Sequence, residues 1–157
     1  GVALTAETVA KLAETTRIVA MKACNPDTGL QMRVIEAAGH NIAILSGDED
    51  VYPLHIAAGA RGGLIASSCI IPEVWNRIHA LAAAGDTTES LKLHARIRPF
   101  LKLIYSEHNP GPLKAALRIL GRPCGEPLLP LLPAASHTEA GLVTMLADML
   151  ALEATMA

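Results

Sequence analysis

Three short apolar runs, each followed by a helix pattern, constrain the fold of this chain more than any other feature. The first two runs are apolar on both alternating faces apart from Lys22, which is typical of buried parallel strands. Repeating strand-then-helix units of roughly 20–25 residues predict parallel βαβ crossovers. The predicted strands are Arg17–Cys24, Asn41–Ser46 and Gly63–Ser68, and the helix patterns that follow them cover residues 28–38, 47–58 and 72–85.

Three parallel strands cannot close on themselves, and their outer strands would expose unpaired backbone groups. A complete (β/α)₈ barrel needs about 250 residues, more than the 157 here. We therefore expect the C-terminal part of such a barrel, pairing with strands that are not in this sequence. A small open three-layer α/β sheet is the alternative.

The strand patterns stop after Gly85, and only helix patterns follow. Residues Asp86–Glu89 form a capping box that opens a long helix to about residue 104, with an apolar stripe made by Leu93, Ile97, Leu101 and Ile104. A shorter helix is predicted over residues 112–121, and a second capping box at Ser136–Glu139 opens a last amphipathic helix that continues through Leu150. A further helix is predicted at the start, over residues 2–15. We predict two domains, residues 1–85 with the β/α units and residues 86–157 with helices alone.

Composition excludes several function classes. The net charge is −2 and aromatic residues make up only 3%, which argues against a nucleic-acid surface. Mean hydropathy is high at +0.35, yet no run of about 18 apolar residues is free of charge and proline. Three cysteines without metal-type spacing indicate a reduced, cytoplasmic protein, with each thiol expected to be small and buried.

Lys22 is the most conspicuous candidate for chemistry, because a lysine closes an otherwise apolar strand. In parallel α/β folds the functional groups lie at the carboxyl ends of the strands. A lysine desolvated at such a place can attack a carbonyl and form a Schiff base. The alternative is that the strand simply ends there and Lys22 points into solvent.

Other polar clusters carry weaker signals. Asp48, Glu49 and Asp50 could hold a metal, but we favour helix capping, since acidic residues complement a helix N-terminus. The six histidines have no metal-type spacing on one helix and are expected at the surface or at the rim of the core. Ser67 and Ser68 lack a histidine and aspartate arrangement for serine chemistry.

The sequence resembles the C-terminal half of the dihydrodipicolinate synthase / N-acetylneuraminate lyase family. The likeness covers nearly the whole chain, and its ordered set of short motifs is more specific than any one of them. The matching stretches are Leu4–Leu12, Ile18–Lys22, Leu45–Asp48, Gly59–Ala66, Glu107–Lys114 and Pro127–Pro130.

The resemblance implies a class I aldolase or lyase on a (β/α)₈ barrel with a helical C-terminal domain, commonly tetrameric, without cofactor or metal. Lys22 matches the lysine that forms a Schiff base with pyruvate or another 2-keto acid. Leu64 matches the position whose backbone helps to hold pyruvate, and Gly47 matches a glycine at the pocket floor. Asn109 and Pro110 match a structural motif of the helical domain.

Within the family, we expect condensation of pyruvate with aspartate semialdehyde in lysine biosynthesis. Lyases acting on N-acetylneuraminate or 2-keto-3-deoxy sugar acids are the alternatives. The sequence lacks the family's N-terminal half, with its GxxGE motif and its catalytic tyrosine in a YxxP motif, and Ala23 and Cys24–Asp27 depart from the common pattern. Tyr52 and Tyr105 are predicted on helices and do not replace that tyrosine. A non-catalytic relative that serves as a scaffold or assembly partner is therefore a second hypothesis.

Overall fold

The computed structural model describes residues 3–15 and 17–156. These residues form two compact units. The first extends up to Ile65 and includes Ile78–Leu91, and the second comprises Ala66–Arg77 and the chain from Lys92 onward. The domain boundary at residue 85 remains a prediction.

The first unit contains the expected parallel sheet, with strand order β1-β2-β3. Lys22 pairs with Leu45, and Leu45 pairs with Gly62, in parallel register. The predicted alternation of strands and helices is confirmed, and α2 has the predicted bounds. The elements are α1 Ala6–Thr15, β1 Ala20–Ala23, α2 Thr28–Ala38, β2 Ala43–Ser46, α3 Tyr52–Ala57 and β3 Gly62–Gly63. The start predicted for α1 at residue 2 lies outside the described residues.

The third strand is shorter than predicted and lies earlier. It was expected over Gly63–Ser68, whereas Ser67–Cys69 form a 3₁₀ turn. The Ser67 carbonyl accepts the N–H groups of Ile70 and Ile71, at 2.9 and 3.2 Å. From Ser67 onward the backbone is therefore bonded locally and does not extend the sheet.

One face of the sheet is covered and the other is not. Ile44, 1% exposed, belongs to a core with Val9 of α1 and Val34 of α2. On the opposite face of β1, Ala20 and Lys22 are both exposed. The prediction that strand β1 is buried on both faces is therefore wrong for this chain, because its apolar core lies on one side only.

The second unit is helical, as predicted. The stripe of α5 is buried, and Ile97, Phe100 and Ile104 are fully enclosed. A side chain at Gly141 of α7 would contact Leu103 of α5 at 3.2 Å, so these two helices approach closely there. The helices that lie wholly or partly in this unit are α4 Pro72–Ala83, α5 Thr87–Ile104, α6 Gly111–Ile119 and α7 Ser136–Ala154.

The two predicted capping boxes have different outcomes. Asp86 Oδ1 accepts the Glu89 N–H at 3.4 Å, which is one of the two bonds of the first box, while the Asp86 N–H donates to the Leu81 carbonyl at 2.9 Å. The second is wrong: Ala135 is the N-cap residue of α7, without a side-chain cap. The Glu107 carboxylate accepts the Ala135 N–H instead, at 3.1 and 3.2 Å, while Glu139 pairs with Arg118.

Two further expectations need correction. Cys24, Cys69 and Cys124 are exposed, not buried, because they lie in connecting segments outside the apolar stripes. Tyr52 lies on a helix, as predicted, and is the first residue of α3, but Tyr105 follows the last residue of α5. None of the helices in the described part of the chain is long and apolar enough to cross a membrane.

Candidate functional site

The ends of the three strands bring the predicted site positions to one edge of the sheet. Lys22 lies in β1 and pairs with Leu45, so the β1 and β2 ends are level. Gly47 follows the last residue of β2, and Leu64 follows the last residue of β3. All three belong to the first unit. The parallel sheet therefore gathers them at its carboxyl edge, where such folds place their functional groups.

Lys22 and Gly47 depend on each other sterically. The Gly47 N–H donates to the Ala23 carbonyl at 2.7 Å, which fixes the turn after β2 against the end of β1. A Cβ atom at Gly47 would lie 2.5 Å from Lys22 Cε and would also overlap Cys24 Sγ. A side chain at Gly47 would therefore displace the lysine from its path over this backbone.

Lys22 is exposed in this chain. Its place in an apolar strand led us to expect a desolvated ammonium group. Because the side chain is exposed, that desolvation is not present in this chain. The reason is the position of β1 at the edge of the sheet, with Lys22 on the face opposite the core.

The backbone of Leu64 is held in place, whereas its side chain is largely exposed. Its N–H donates to the Ser46 carbonyl at 2.9 Å, while the side chain is 54% exposed. Ser46 also pairs with Gly63 in the sheet. The backbone of Leu64 is thus held beside the β2 end although strand β3 has already finished.

A buried Ser46–His55 pair lies directly behind Gly47, and sequence reasoning missed it. Ser46 Oγ and His55 Nδ1 share a hydrogen bond of 2.9 Å, and both residues are 0% exposed. Burial lowers the pKa of His55, and the nearby Asp48 carboxylate opposes that effect only in part. The imidazole is therefore held toward its neutral form.

The other imidazole nitrogen of His55 has no hydrogen-bond partner among the described residues. A buried polar group left in that state costs roughly 1–3 kcal/mol. His94 is buried too, with its ring 5.8 Å from that of Trp75. The expectation that the histidines lie at the surface or the rim is therefore wrong for these two, since one bonds a serine and the other packs on an indole.

Tyr52 supports β3 from the same short helix. Its ring overlaps the space that a side chain at Gly63 would need, and its hydroxyl shares a hydrogen bond of 3.1 Å with His79 Nδ1. Burial raises the pKa of Tyr52 to about 12. Helix α3 thus lies under the ends of β2 and β3 with two buried polar rings.

The acidic residues after Gly47 do not cap a helix, contrary to our interpretation. Helix α3 begins only at Tyr52, with Val51 as its N-cap and no side-chain cap. The Asp48 carboxylate accepts the Asp50 N–H at 3.2 Å and so closes a local turn. Among residues 3–15 and 17–156, no cluster of three or more histidine, cysteine or acidic residues could hold a metal ion.

Comparison with known proteins identifies what this arrangement is similar to. The dihydrodipicolinate synthetase family model matches residues 1–149. A 4-hydroxy-tetrahydrodipicolinate synthase of Methanothrix thermoacetophila is 35% identical over 150 residues, 95% of this chain and 51% of that protein. One of Stenotrophomonas maltophilia is 37% identical over 149 residues, 94% of this chain and 50% of that protein.

Solved structures extend the likeness to three dimensions. A dihydrodipicolinate synthase of Cyanidioschyzon merolae with lysine bound has a TM-score of 0.87 and 29% identity, covering 97% of this chain and 51% of its own. One of Acinetobacter baumannii, complexed with pyruvate, has a TM-score of 0.85 and 29% identity, covering 93% and 50%. The chain therefore spans about half the length of these relatives. The predicted fold is confirmed as the C-terminal part of a (β/α)₈ barrel followed by helices.

Proposed function

Because this chain belongs to the dihydrodipicolinate synthetase family, we propose that it forms part of a carbon–carbon lyase that captures pyruvate as a Schiff base on Lys22. The close passage of Lys22 over Gly47, at the carboxyl edge of a parallel sheet, is the observation that carries this proposal. An amine at such an edge is placed where barrel enzymes bind their substrates.

The reaction step proposed for this chain is imine formation. The neutral amine of Lys22 attacks the C2 carbonyl carbon of pyruvate, and the resulting carbinolamine loses water to give the imine. Gly47 leaves the space over which the lysine passes, and the backbone of Leu64 holds the keto acid. The acid–base groups for the later proton transfers belong to the N-terminal half of the barrel.

We propose that this N-terminal half, on the same polypeptide or a separate one, covers the exposed face of β1. Covering Ala20 and Lys22 would remove water from the lysine and favour its neutral, nucleophilic form. The length of the relatives, about twice that of this chain, supports the idea. A complete enzyme would then form a cytoplasmic homotetramer.

For the second substrate we propose aspartate semialdehyde, in lysine biosynthesis. The relatives from Methanothrix and Stenotrophomonas are both named 4-hydroxy-tetrahydrodipicolinate synthase, and a solved relative carries pyruvate. Lyases of N-acetylneuraminate or of 2-keto-3-deoxy sugar acids remain the alternatives within the family.

The test is reductive trapping of pyruvate on the folded chain, alone and after mixing with the N-terminal half of a relative. Borohydride reduction of the imine leaves an irreversible adduct, which intact mass and peptide mapping locate. We expect the adduct on Lys22, its loss in Lys22→Met, and its persistence in Lys11→Met, since Lys11 is an exposed lysine of α1. A folded protein that takes no label in either preparation contradicts the proposal.

A second candidate function is that of a non-catalytic assembly partner. The exposed face of β1 favours it, because an uncovered lysine is poorly suited to nucleophilic attack. Light scattering and co-purification with the N-terminal half separate the two functions. A stable complex that binds no keto acid supports the assembly role, whereas trapping on Lys22 supports the enzyme.

A further inference from the structure

Cys24 lies beside Lys22 at the end of strand β1, on the face of the strand that lies opposite the core. Side chains two residues apart on an extended backbone point to the same face, and Ala23, between them, belongs to the core and is 6% exposed. Lys22 and Cys24 are both exposed. The Ala23 carbonyl accepts the Gly47 N–H at 2.7 Å, so the segment that carries both side chains is fixed to the turn after β2.

The position of Gly47 shows how close the two side chains are. A Cβ atom at this glycine would lie 2.5 Å from Lys22 Cε and closer still to Cys24 Sγ. The sulfur and the carbon therefore lie beside one common point and are no further apart than twice that distance. The Lys22 amine is one bond beyond Cε, and because the side chain is exposed, the amine can turn toward the thiol.

An amine and a thiol this close together can react with two carbons of one small molecule. An amine condenses with a ketone to form an imine, and a thiolate displaces a leaving group from a saturated carbon. A 2-keto acid with a leaving group at C3 carries both kinds of electrophilic carbon, bonded to each other. The first bond to form holds the second carbon beside the remaining nucleophile, which raises the effective concentration of that carbon.

We infer that Lys22 and Cys24 form a thiol–amine pair that captures 2-keto acids carrying a leaving group at C3 through two covalent bonds. The Cys24 thiolate forms a carbon–sulfur bond at C3, the leaving group departs with its electron pair, and the thiol proton passes to solvent. The Lys22 amine condenses with the C2 ketone and releases one water molecule. The product is a bridge of two carbon atoms between sulfur and nitrogen.

The pair makes Cys24 a modification site beside the candidate lysine. The family resemblance assigns no role to Cys24, since the segment Cys24–Asp27 departs from the common pattern. The inference deepens the proposed function and rests on it for the imine on Lys22. Its addition is a class of ligand that blocks the lysine permanently, whereas pyruvate has no leaving group and engages the amine alone.

The experiment follows alkylation of the cysteines of the whole chain by 3-bromopyruvate and by iodoacetate, which has the same charge but no ketone. Peptide mapping gives the rate at Cys24 divided by the rate at Cys124, an exposed thiol of the second unit. We expect this ratio to be about tenfold higher with 3-bromopyruvate, because only the keto acid is held by the lysine. Lys22→Met should remove the difference, and Lys11→Met, at an exposed lysine of α1, should leave it.

Reduction with cyanoborohydride detects the bridge itself. The imine becomes a secondary amine, and trypsin no longer cleaves after the modified Lys22. We expect a single peptide, Ile18–Arg33, with one three-carbon acid bonded to both residues and with the bromine and the ketone oxygen lost. In Cys24→Ser this bridge should be absent, while pyruvate should label Lys22 as in the unmodified chain. Circular dichroism checks that both variants keep the fold.

The outcomes separate this inference from the proposed function. Pyruvate labelling of Lys22 without a bridge from 3-bromopyruvate, or with equal rate ratios for the two alkylating agents, overturns the inference alone. A bridge in a chain that pyruvate does not label overturns the proposed function and leaves the thiol–amine pair. A folded chain with neither product contradicts both.

Discussion

The sheet edge of the first unit and helix α5 of the second unit differ in how far their apolar side chains are buried. In the second unit, Ile97, Phe100 and Ile104 are 0% exposed. At the sheet edge, Val19 is 80% exposed and Lys22 lies open. Buried apolar area is the main source of stability in a fold, so we expect these three side chains of α5 to contribute strongly to the stability of the helical unit. The sheet leaves the candidate residue Lys22 exposed.

Buried polar groups do not follow the same contrast. Two helix starts in the second unit are satisfied by carboxylates that are distant in sequence. Glu153 accepts the N–H groups of Glu73 and Val74 at 2.8 and 2.9 Å, and Glu107 accepts that of Ala135. In the first unit, the buried imidazole of His55 keeps one nitrogen without a described partner. Gln31 of α2 and Thr138 of α7 each also have a buried side-chain atom without a hydrogen-bond partner among the described residues, so incomplete pairing occurs in both units.

The largest expected effect comes from a substitution in the core of the helical unit. Phe100→Ala should lower the free energy of unfolding by about 3–5 kcal/mol, because it leaves a cavity in a fully buried site. Val19→Ala, at the exposed strand edge, should change it by less than about 0.5 kcal/mol. Urea titration followed by the fluorescence of Trp75, the single tryptophan, measures the first, and circular dichroism measures both. Equal effects would contradict the comparison.

A matched pair of glycine substitutions tests this comparison at the sheet edge. Gly47→Ala should abolish most pyruvate trapping, because the new methyl group displaces the Lys22 side chain. It should change the free energy of unfolding by less than about 0.5 kcal/mol, since that side chain is exposed and can move. Gly62→Ala places its methyl group 3.6 Å from Leu45 Cδ2, which is an ordinary contact. It should change the free energy of unfolding by less than about 0.5 kcal/mol and the extent of trapping by less than about twofold. Thermal unfolding and adduct mass measure the two. Loss of trapping in Gly62→Ala alone would contradict the proposed position of the site.

A smaller effect is expected from replacing Glu153, whose carboxylate accepts backbone N–H groups at the start of α4. Glu153→Gln should lower the free energy of unfolding by about 1 kcal/mol, since it replaces a charge-assisted bond to two backbone N–H groups. The control is Glu14→Gln on an exposed turn of α1, for which no change is expected. Both are read from urea midpoints at neutral pH. A neutral result for Glu153→Gln would mean that solvent serves this helix start equally well.

The smallest effect is a dependence on pH. The Thr138 side chain, and after it the Ala135 N–H, hold the pKa of Glu107 below its ordinary value. Its contribution to stability is therefore complete above the ordinary glutamate value of about 4.3 and is lost as the pH falls through the lower, folded value. Glu107→Gln lacks this contribution at every pH, so its stability should fall less steeply below about pH 4.3. The measurement is the free energy of unfolding of both proteins as a function of pH. If it falls equally steeply for both below about pH 4.3, this prediction is wrong.

Much of this architecture could be predicted from local patterns. Apolar runs and helix patterns predicted the parallel order of β1, β2 and β3, and the capping box at Asp86 predicted the start of α5. The place of Lys22 and Gly47 at one edge also follows from strand order, because parallel strands end on the same side. The predicted third strand had Leu64 as its second residue, and only the family resemblance made it a site position. These features depend on residues that are close in sequence and on a fixed geometry of the backbone.

Only the tertiary structure decided which groups are buried and which pairs form. His55 lies nine residues from Ser46, a spacing with no pattern of its own, and their bond depends on the way α3 packs under the strand ends. Glu153 caps a helix start 80 residues away for the same kind of reason. The exposure of Lys22 was likewise outside the reach of sequence, because alternation along a strand defines two faces but not which of them is covered. That choice is made by the helices that pack on the sheet.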